Sequence, residues 1–320
     1  MQVHSSRVVI EVIEDYMEPE ETPLVNVTDT AILMHRDAHF GGSFEQMLDY
    51  YKRGGKGVNP EFELERIQEL AEMEMQSKQN LASVLLAGAD AEKVASARQT
   101  YKSLRDLYDV DKPFNKHPQL IADLILSEDE DPTEEIAAIV REKGTIVNAL
   151  IEVIKSEEMH DPLFPGYGFA PSLAAKCLGE IGDKKGIIAL FEALDSGDFF
   201  DEDVALQALR GIGKPAKDFL LRVVQGFPVT ADNEKAALAL IQFKDDPEVA
   251  EVALKLLKDN RVRKNPLLTT YLVLACEGLS DKALQKEFQA LAKDATMPLA
   301  QRREMESILK TFGQPKPPVL

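Results

Sequence analysis

The stretch PSLAAKCLGEIGDKKGIIALFEAL, Pro171 to Leu194, carries an apolar helical face, a break at Gly182-Asp183 and a second apolar helical face. Apolar residues at three- and four-residue steps lie on one side of a helix, so the stretch spells two helices and the turn between them. A close echo, VALQALRGIGKPAKDFLLRVV, runs from Val204 to Val224; Leu178 is answered by Leu209 and Gly182 by Gly213, 31 residues on in both cases. A helix pair cannot bury its apolar side alone, and its repetition points to units stacked on their neighbours. Such repeats support many kinds of binding, so the echo decides the architecture and leaves the ligand open.

Toward the C-terminus, ADNEKAALALIQFKDDPEVAEVALKLLKD places Leu240 another 31 residues beyond Leu209, and LLTTYLVLACEGLSDKALQKEFQALAKD repeats the plan about 35 residues later. LAQRREMESILKTFG is a last amphipathic helix whose charges suit the polar cap that a stacked array needs, and residues 314–320 read as a disordered tail. Toward the N-terminus, Ile136 to Val140, a break at Gly144 and Ile146 to Ile154 follow the same plan, with ALIEVI at 149–154 matching ALFEAL at 189–194. The array is therefore expected over residues 131–313. HDPLFPGYGFAP, His160 to Pro171, is its expected internal boundary, because Pro and Gly break helices. Phe164, Tyr167 and Phe169 there are expected to pack over a helix end, with a binding edge between repeats as the alternative.

Further upstream, His117-Pro118 begins a helix carrying Leu120, Ile121, Leu124 and Ile125, and Asp131 with Glu134 reads as a capping box around Pro132. The six carboxylates from Glu128 to Glu135 suit a solvated helix N-terminus; a calcium loop needs fixed alternating ligands and a glycine. Asn59-Pro60 predicts a long helix that closes at Gly88, and Asp90 opens another through Val94, Ala97, Tyr101, Leu104 and Tyr108. Residues 60–108 thus read as an antiparallel helical hairpin within a helical region over 59–130. Residues 1–58 read as an irregular segment with short strands and one helix. RVVIEVI, Arg7 to Ile13, is expected as a strand, and AILMH, Ala31 to His35, as its partner in a small two-stranded sheet. Ser43 and Gln46 form the capping box of a helix from Phe44 to Arg53, which RGGKG ends.

The chain has a net charge of −18, and the excess is uneven: Lys and Arg number 16 against 33 Asp and Glu in residues 1–165, and 21 against 22 in 166–320. A field of this sign repels phosphate backbones, so general nucleic-acid binding is not expected and basic or neutral protein partners are. No window approaches the roughly 20 apolar residues of a membrane span, which excludes a membrane partner of that kind. The N-terminal MQVHSSRVVIEVIEDY lacks the pattern of a signal peptide, so the expected address is the cytoplasm. Cys177 and Cys276, both on apolar helix faces, are expected as core residues rather than a disulfide framework.

AAKCLGEIGDKKGIIALFEALDSGD, with ALRGIGKPAKDFLLRVV after it, resembles HEAT repeats of the phycobilisome-lyase-like subclass over residues 132–315. The shared pattern is a small-residue helix, a G-x-I-G turn followed by Asp or Pro, and a Leu-rich second helix. Ala174, Ala175 and Ala208 let neighbouring helices approach, Gly182 and Gly213 permit the tight exit, and Pro215 cannot continue the first helix. The resemblance implies an all-α HEAT-like α-solenoid, here with an N-terminal helical region. Such families include scaffolds, bilin-attachment enzymes, DNA-glycosylase relatives and a di-iron hydroxylase. The hydroxylase's His-Glu ligand pairs are missing, since none of the five histidines is followed by Glu, and the glycosylase's basic groove does not suit an acidic chain without Trp.

Of the possible sites, His35, Asp37 and His39 in MHRDAHF would project from one face of a strand as a zinc or iron set, with His4 as a further ligand. Such runs also arise by chance, and structural or exposed polar histidines are the ordinary alternative. EEMHD, Glu157 to Asp161, is a weaker set of the same kind. RGGKG lacks the strand and Lys-Ser/Thr of a phosphate loop and reads as a helix end. Positive charge gathers at Lys255, Lys258, Arg261, Arg263 and Lys264, where a helix C-terminal dipole favours it and where an acidic partner could meet it. The function expected is a non-catalytic interaction scaffold binding a protein on the concave face, without cofactor. The alternative is an enzyme or ligand-binding protein with a metal or bilin-like chromophore site near the N-terminal segment.

Overall fold

Asn26 opens the first helix of the computed structural model, which describes residues 26–109, 115–127, 131–194 and 201–312. Its side chain accepts the Asp29 N–H at 2.8 Å while the Asp29 carboxylate accepts the Asn26 N–H at 3.4 Å, a reciprocal cap that starts α1, Val27–His39. AILMH is therefore helical and not a strand. The described residues hold no strand at all, and the expected partner, Arg7 to Ile13, lies outside them.

Helix α2, Phe44–Arg53, is capped by Ser43, whose hydroxyl accepts the Gln46 N–H at 3.3 Å, and closes at Gly54 in the left-handed region, as RGGKG implied. The long helix expected after Asn59 is shorter and interrupted. Asn59 caps a turn by accepting the Glu61 N–H at 2.9 Å; α3 runs Leu64–Ser77, Lys78 turns left-handed, and Asn80 caps a separate α4, Leu81–Leu85. Gly88 then leads into α5, Ala89–Arg105. The main partner of α5 is α1, and that of α3 is α2, so α1 takes the place that the hairpin reading gave to α3. Helix α6, Lys116–Leu126, buries Ala122, Leu124 and Ile125.

The repeats follow the sequence closely. The pairs are α7 (Thr133–Arg141) with α8 (Val147–Lys155), then, after the short α9 (Glu157–His160), α10 (Ala170–Ile181) with α11 (Ile187–Ala193). Next come α12 (Glu202–Ile212) with α13 (Lys214–Val224) and α14 (Ala231–Leu240) with α15 (Pro247–Leu257). After the short α16 (Asn260–Arg263) stand α17 (Pro266–Ala275), α18 (Lys282–Ala292) and α19 (Leu299–Thr311). A single 3₁₀ turn joins most pairs, at Lys143–Thr145, Lys184–Gly186, Ile241–Phe243 and Cys276–Gly278, whereas α12 and α13 meet at Gly213 alone. Gly182 has φ +72° and Gly213 φ +78°, which only glycine adopts without strain. The capping box around Pro132 does not form: Asp131 pairs instead with Lys176 on α10 at 2.7 Å, although Glu134 and Glu135 do occupy the first turn of α7.

Leu178, Leu209 and Leu240, equivalent at 31-residue steps, are all buried, so the sequence period is also the packing period. One apolar cluster runs without interruption from Leu124 to Ile308. Each pair leans on the next, α8 on α10, α10 on α12, α13 on α14, α14 on α17 and α17 on α19. Glycine permits the closest approaches: a Cβ on Gly278 would overlap the Lys244 carbonyl oxygen, and α10 meets α12 in the same way. A Cβ on Gly179 would sit 2.6 Å from Ala208 Cα, and one on Gly211 would sit 2.7 Å from the Gly179 carbonyl oxygen. A ladder of ion pairs crosses the same joints: Lys217 with Asp246 and Glu248 at 2.6 and 2.7 Å, Lys244 with Glu277 at 2.6 Å, and Lys258 with Glu287. A second cluster, among α1 to α4, holds Ile32, Leu33, Met47, Phe62, Ile67 and Leu70. It is organised by two buried charges. Asp29 takes a bidentate pair from Arg66 at 2.7 Å, and Arg36 reaches Asp37 and Glu74, both at 2.7 Å. A small third cluster, Ala38, Val94, Ala97, Leu163 and Phe164, joins the N-terminal helices to the connection before α10. Among the described residues no helix is long and apolar enough to cross a membrane.

Candidate functional site

In chains built of alternating helices, the turns inside each pair fall at one edge and the connections between pairs at the other. The between-pair edge is held together by contacts from one connection to the next. Arg261 stacks its guanidinium 4.0 Å over the Phe227 ring, and the Asn265 amide donates to Glu234 at 2.5 Å. Arg263 donates to Asp294 and Thr296 at 3.1 and 2.8 Å, and Gln301 donates to the Pro266 carbonyl and the Thr270 hydroxyl at 3.3 and 3.0 Å. Phe227, Leu267 and Leu299, one at each of three successive connections, are 44%, 56% and 56% exposed. The sequence reading missed this row, because it is spaced by connections rather than by a helical period. An apolar residue at the start of α17 and of α19 was the available signal for two of the three.

The five cations singled out lie at this edge or near it, at the end of α15 and on α16. Lys255, Lys258, Arg261 and Lys264 are exposed, and Arg263 is partly buried. Lys258 reaches across to Glu287, and Arg261 pairs with Asp259 at 2.7 Å, holding that carboxyl below its ordinary range. Arg263 also donates to the Leu257 carbonyl at 2.6 Å, closing the C-terminus of α15. Three of the five are thus tied to neighbouring carboxylates.

The second place is the junction between the N-terminal helices and the connection before α10. His35 and His39 stand one helical turn apart on α1 with rings 4.5 Å apart, and Asp37, two residues from each, projects from the other side toward Arg36. The helix therefore undoes the three-ligand set that a strand would make. Among the described residues no group of three or more His, Cys, Asp or Glu is placed to hold a metal ion, EEMHD included.

The imidazoles sit instead among aromatic rings. His39 stacks 4.4 Å from Tyr167, and its Nε2–H donates to the Pro162 carbonyl at 3.0 Å, which leaves Nδ1 to accept the Tyr101 hydroxyl at 2.7 Å. Burial pushes His39 down to about 4, against smaller upward pulls from Pro162 and Asp161. His35 is enclosed by Phe40, Phe62 and Tyr51, at 5.7, 5.6 and 5.9 Å between centroids, and burial holds it well below the usual histidine range, with His39 adding to the effect. Its Nε2 is buried with no hydrogen-bond partner.

RGGKG closes this junction, a role the sequence did not reveal. The Tyr50 and Tyr51 hydroxyls accept the Gly57 and Asn59 N–H groups at 2.9 and 3.3 Å. A Cβ on Gly55 would fall 2.2 Å from the Tyr50 ring, and one on Gly57 2.1 Å from the Tyr167 ring. Tyr167 itself has φ +54° between two glycines at +84° and +82°, so G-Y-G is a left-handed run that aims the ring back at α1. Of the three aromatics expected over a helix end, Phe164 is buried, Tyr167 is half-buried and Phe169 is 41% exposed. Cys177 and Cys276 are buried free thiols; burial pushes the first up to about 12 and raises the second as well, which makes both unreactive. A scan against protein-family models finds no family that matches the chain, and a search of curated proteins finds no similar sequence.

Proposed function

We propose that the chain is a protein-interaction scaffold of HEAT-like repeats, which takes its partner along the between-pair edge. The observation that carries this reading is the exposure of Phe227, Leu267 and Leu299 at or beside three successive connections, with Arg261 stacked over Phe227. Apolar side chains left in water on connections that are themselves tied together form a fixed surface, which suits burial against another molecule. The partner that fits carries apolar side chains with a carboxylate beside them, to meet the exposed Lys255 and Lys264. A cytoplasmic setting belongs to this reading and accords with two buried free thiols.

The test is capture from the host's lysate at near-physiological salt by the intact protein and by a Phe227→Ser, Leu267→Ser variant. The scaffold reading expects one protein in near-equal amount with the wild type, and recovery reduced at least about tenfold with the variant, each exposed apolar side chain being worth roughly 1–2 kcal/mol once buried. Helical content and melting should match. Undiminished recovery by the variant would discard the edge, and no stoichiometric partner would discard the scaffold.

A further inference from the structure

A pocket of about 310 Å³ opens at the junction, where RGGKG meets the connection before α10. Its lining includes the Tyr167 and Phe169 rings, Val58, Pro162, the buried His35 and Lys56. Three features show that it is constructed rather than left over. The left-handed run at Gly166 to Gly168 places the Tyr167 ring, and the absence of a side chain at Gly57 makes room for that ring. Lys56 is fixed too, donating to the Ser127 carbonyl at 3.3 Å with its ammonium 5.4 Å from the centre of the Phe169 ring. The third is His35. It is 5% exposed, and its Nε2 has no hydrogen-bond partner, a state that burial ordinarily penalises.

We infer that this pocket binds a small planar aromatic molecule of one or two rings that carries a single acidic group, with its ring between Tyr167 and Phe169, a polar edge at His35 and its acid toward Lys56. The volume stands at the small end for ligand sites, which limits the ring count. Two aromatic walls select a flat π-system over an aliphatic one. A neutral imidazole offers one donor and one acceptor nitrogen, so His35 recognises a ring N–H, ring nitrogen or hydroxyl rather than a charge. Glu61 also lines the pocket, and its carboxylate disfavours a second negative charge on the ligand. The inference is independent of the between-pair edge and of any partner there.

The experiment titrates the full chain with three probes, indole-3-acetate, indole and cyclohexylacetate, and follows the ¹⁵N resonances of the His35 imidazole by NMR. Indole-3-acetate should shift the His35 signals saturably. Indole should bind about five- to tenfold more weakly, for want of the acid, and cyclohexylacetate should not compete. Phe169→Ala, at an exposed position where the fold has little at stake, should weaken indole-3-acetate about five- to tenfold. Lys56→Met should make indole and indole-3-acetate bind alike. The inference is overturned if no probe moves the His35 signals at millimolar concentration, which would leave the pocket to water. It is equally overturned if cyclohexylacetate binds as well as the aromatic acid, or if Phe169→Ala, still folded by circular dichroism, changes nothing.

Discussion

His39 has a hydrogen-bond partner at each ring nitrogen but little water, and His35 is buried beside it with its Nε2 unpartnered. Both titrate below their unfolded value near 6.5, so the unfolded chain binds more protons in the interval between. Stability from this source is therefore complete above about pH 6.5 and is lost as the pH falls toward 4. From pH 7 to pH 5, His39 alone should cost about 2 kcal/mol. Chemical denaturation followed at the two values checks this, with His39→Gln flattening the difference; equal stability at both would contradict the burial. The sequence singled out His35 and His39 and offered two readings of them, structural histidines or a metal set, and the metal set depended on a strand where the chain is helical. Positions 35, 37 and 39 share a face only at a period of two, and at the helical period the carboxylate leaves the set. Nor does spacing show that these histidines will be ringed by Tyr51, Phe62, Tyr101 and Tyr167, which come from three separate parts of the chain.

Among the elements, the repeats were legible and the N-terminal helices less so, for a local reason. Gly182 and Gly213 interrupt long helical patterns at positions where the backbone turns left-handed, so the breaks are written in the residues. Val27 to His39 has a continuous apolar run, Ala31 to Met34, which fits a strand as well as a buried helix. Asn26 and Asp29 at N-cap and N3 were the deciding signal. The end of α3 had no such mark, because Lys78 enters the left-handed region without glycine. The alanines expected to let helices approach are joined by a closer contact, that of α10 with α12 at Gly179 and Gly211. Gly179→Ala should raise intrinsic helix propensity yet destabilise the protein by about 1–3 kcal/mol, since the new methyl can be housed only by separating two backbones. Urea denaturation decides: a gain of up to about 1 kcal/mol, the usual result at an open helical site, would show that the joint has slack.

For the molecule as a whole, the N-terminal helices and the repeats keep separate apolar clusters, and the bridge between them is narrow. Phe164 stands in that bridge with Leu163, against Ala38, Val94 and Ala97. Ion pairs and hydrogen bonds run alongside, Lys93 with Asp161 at 2.5 Å and Ser96 with Glu158 at 3.1 Å, but exposed pairs of this kind contribute little. Phe164→Ala should therefore cost about 3–5 kcal/mol and divide thermal unfolding into two steps, the helices before residue 109 melting first. Differential scanning calorimetry reads this directly; a single sharper or unshifted transition would mean that the two clusters are coupled by something else. The Pro- and Gly-rich composition of 160–171 marked a boundary in the sequence. That the same residues fasten the boundary, through Leu163, Phe164 and Tyr167, is a property of where α1 and α5 come to lie.

The joint between α10 and α12 also has a mechanical meaning. Where two backbones touch through glycine there is no side chain to rotate, and relative motion must stretch or compress the main chain itself. Farther along, Gly278 lies as close to the Lys244 backbone, while the long side chains of Lys217 and Lys244 span the gaps to carboxylates and can tilt and exchange them. An array so built is locked main chain to main chain both at α10 with α12 and at Lys244 with Gly278, and any give between those points is left to the ion pairs.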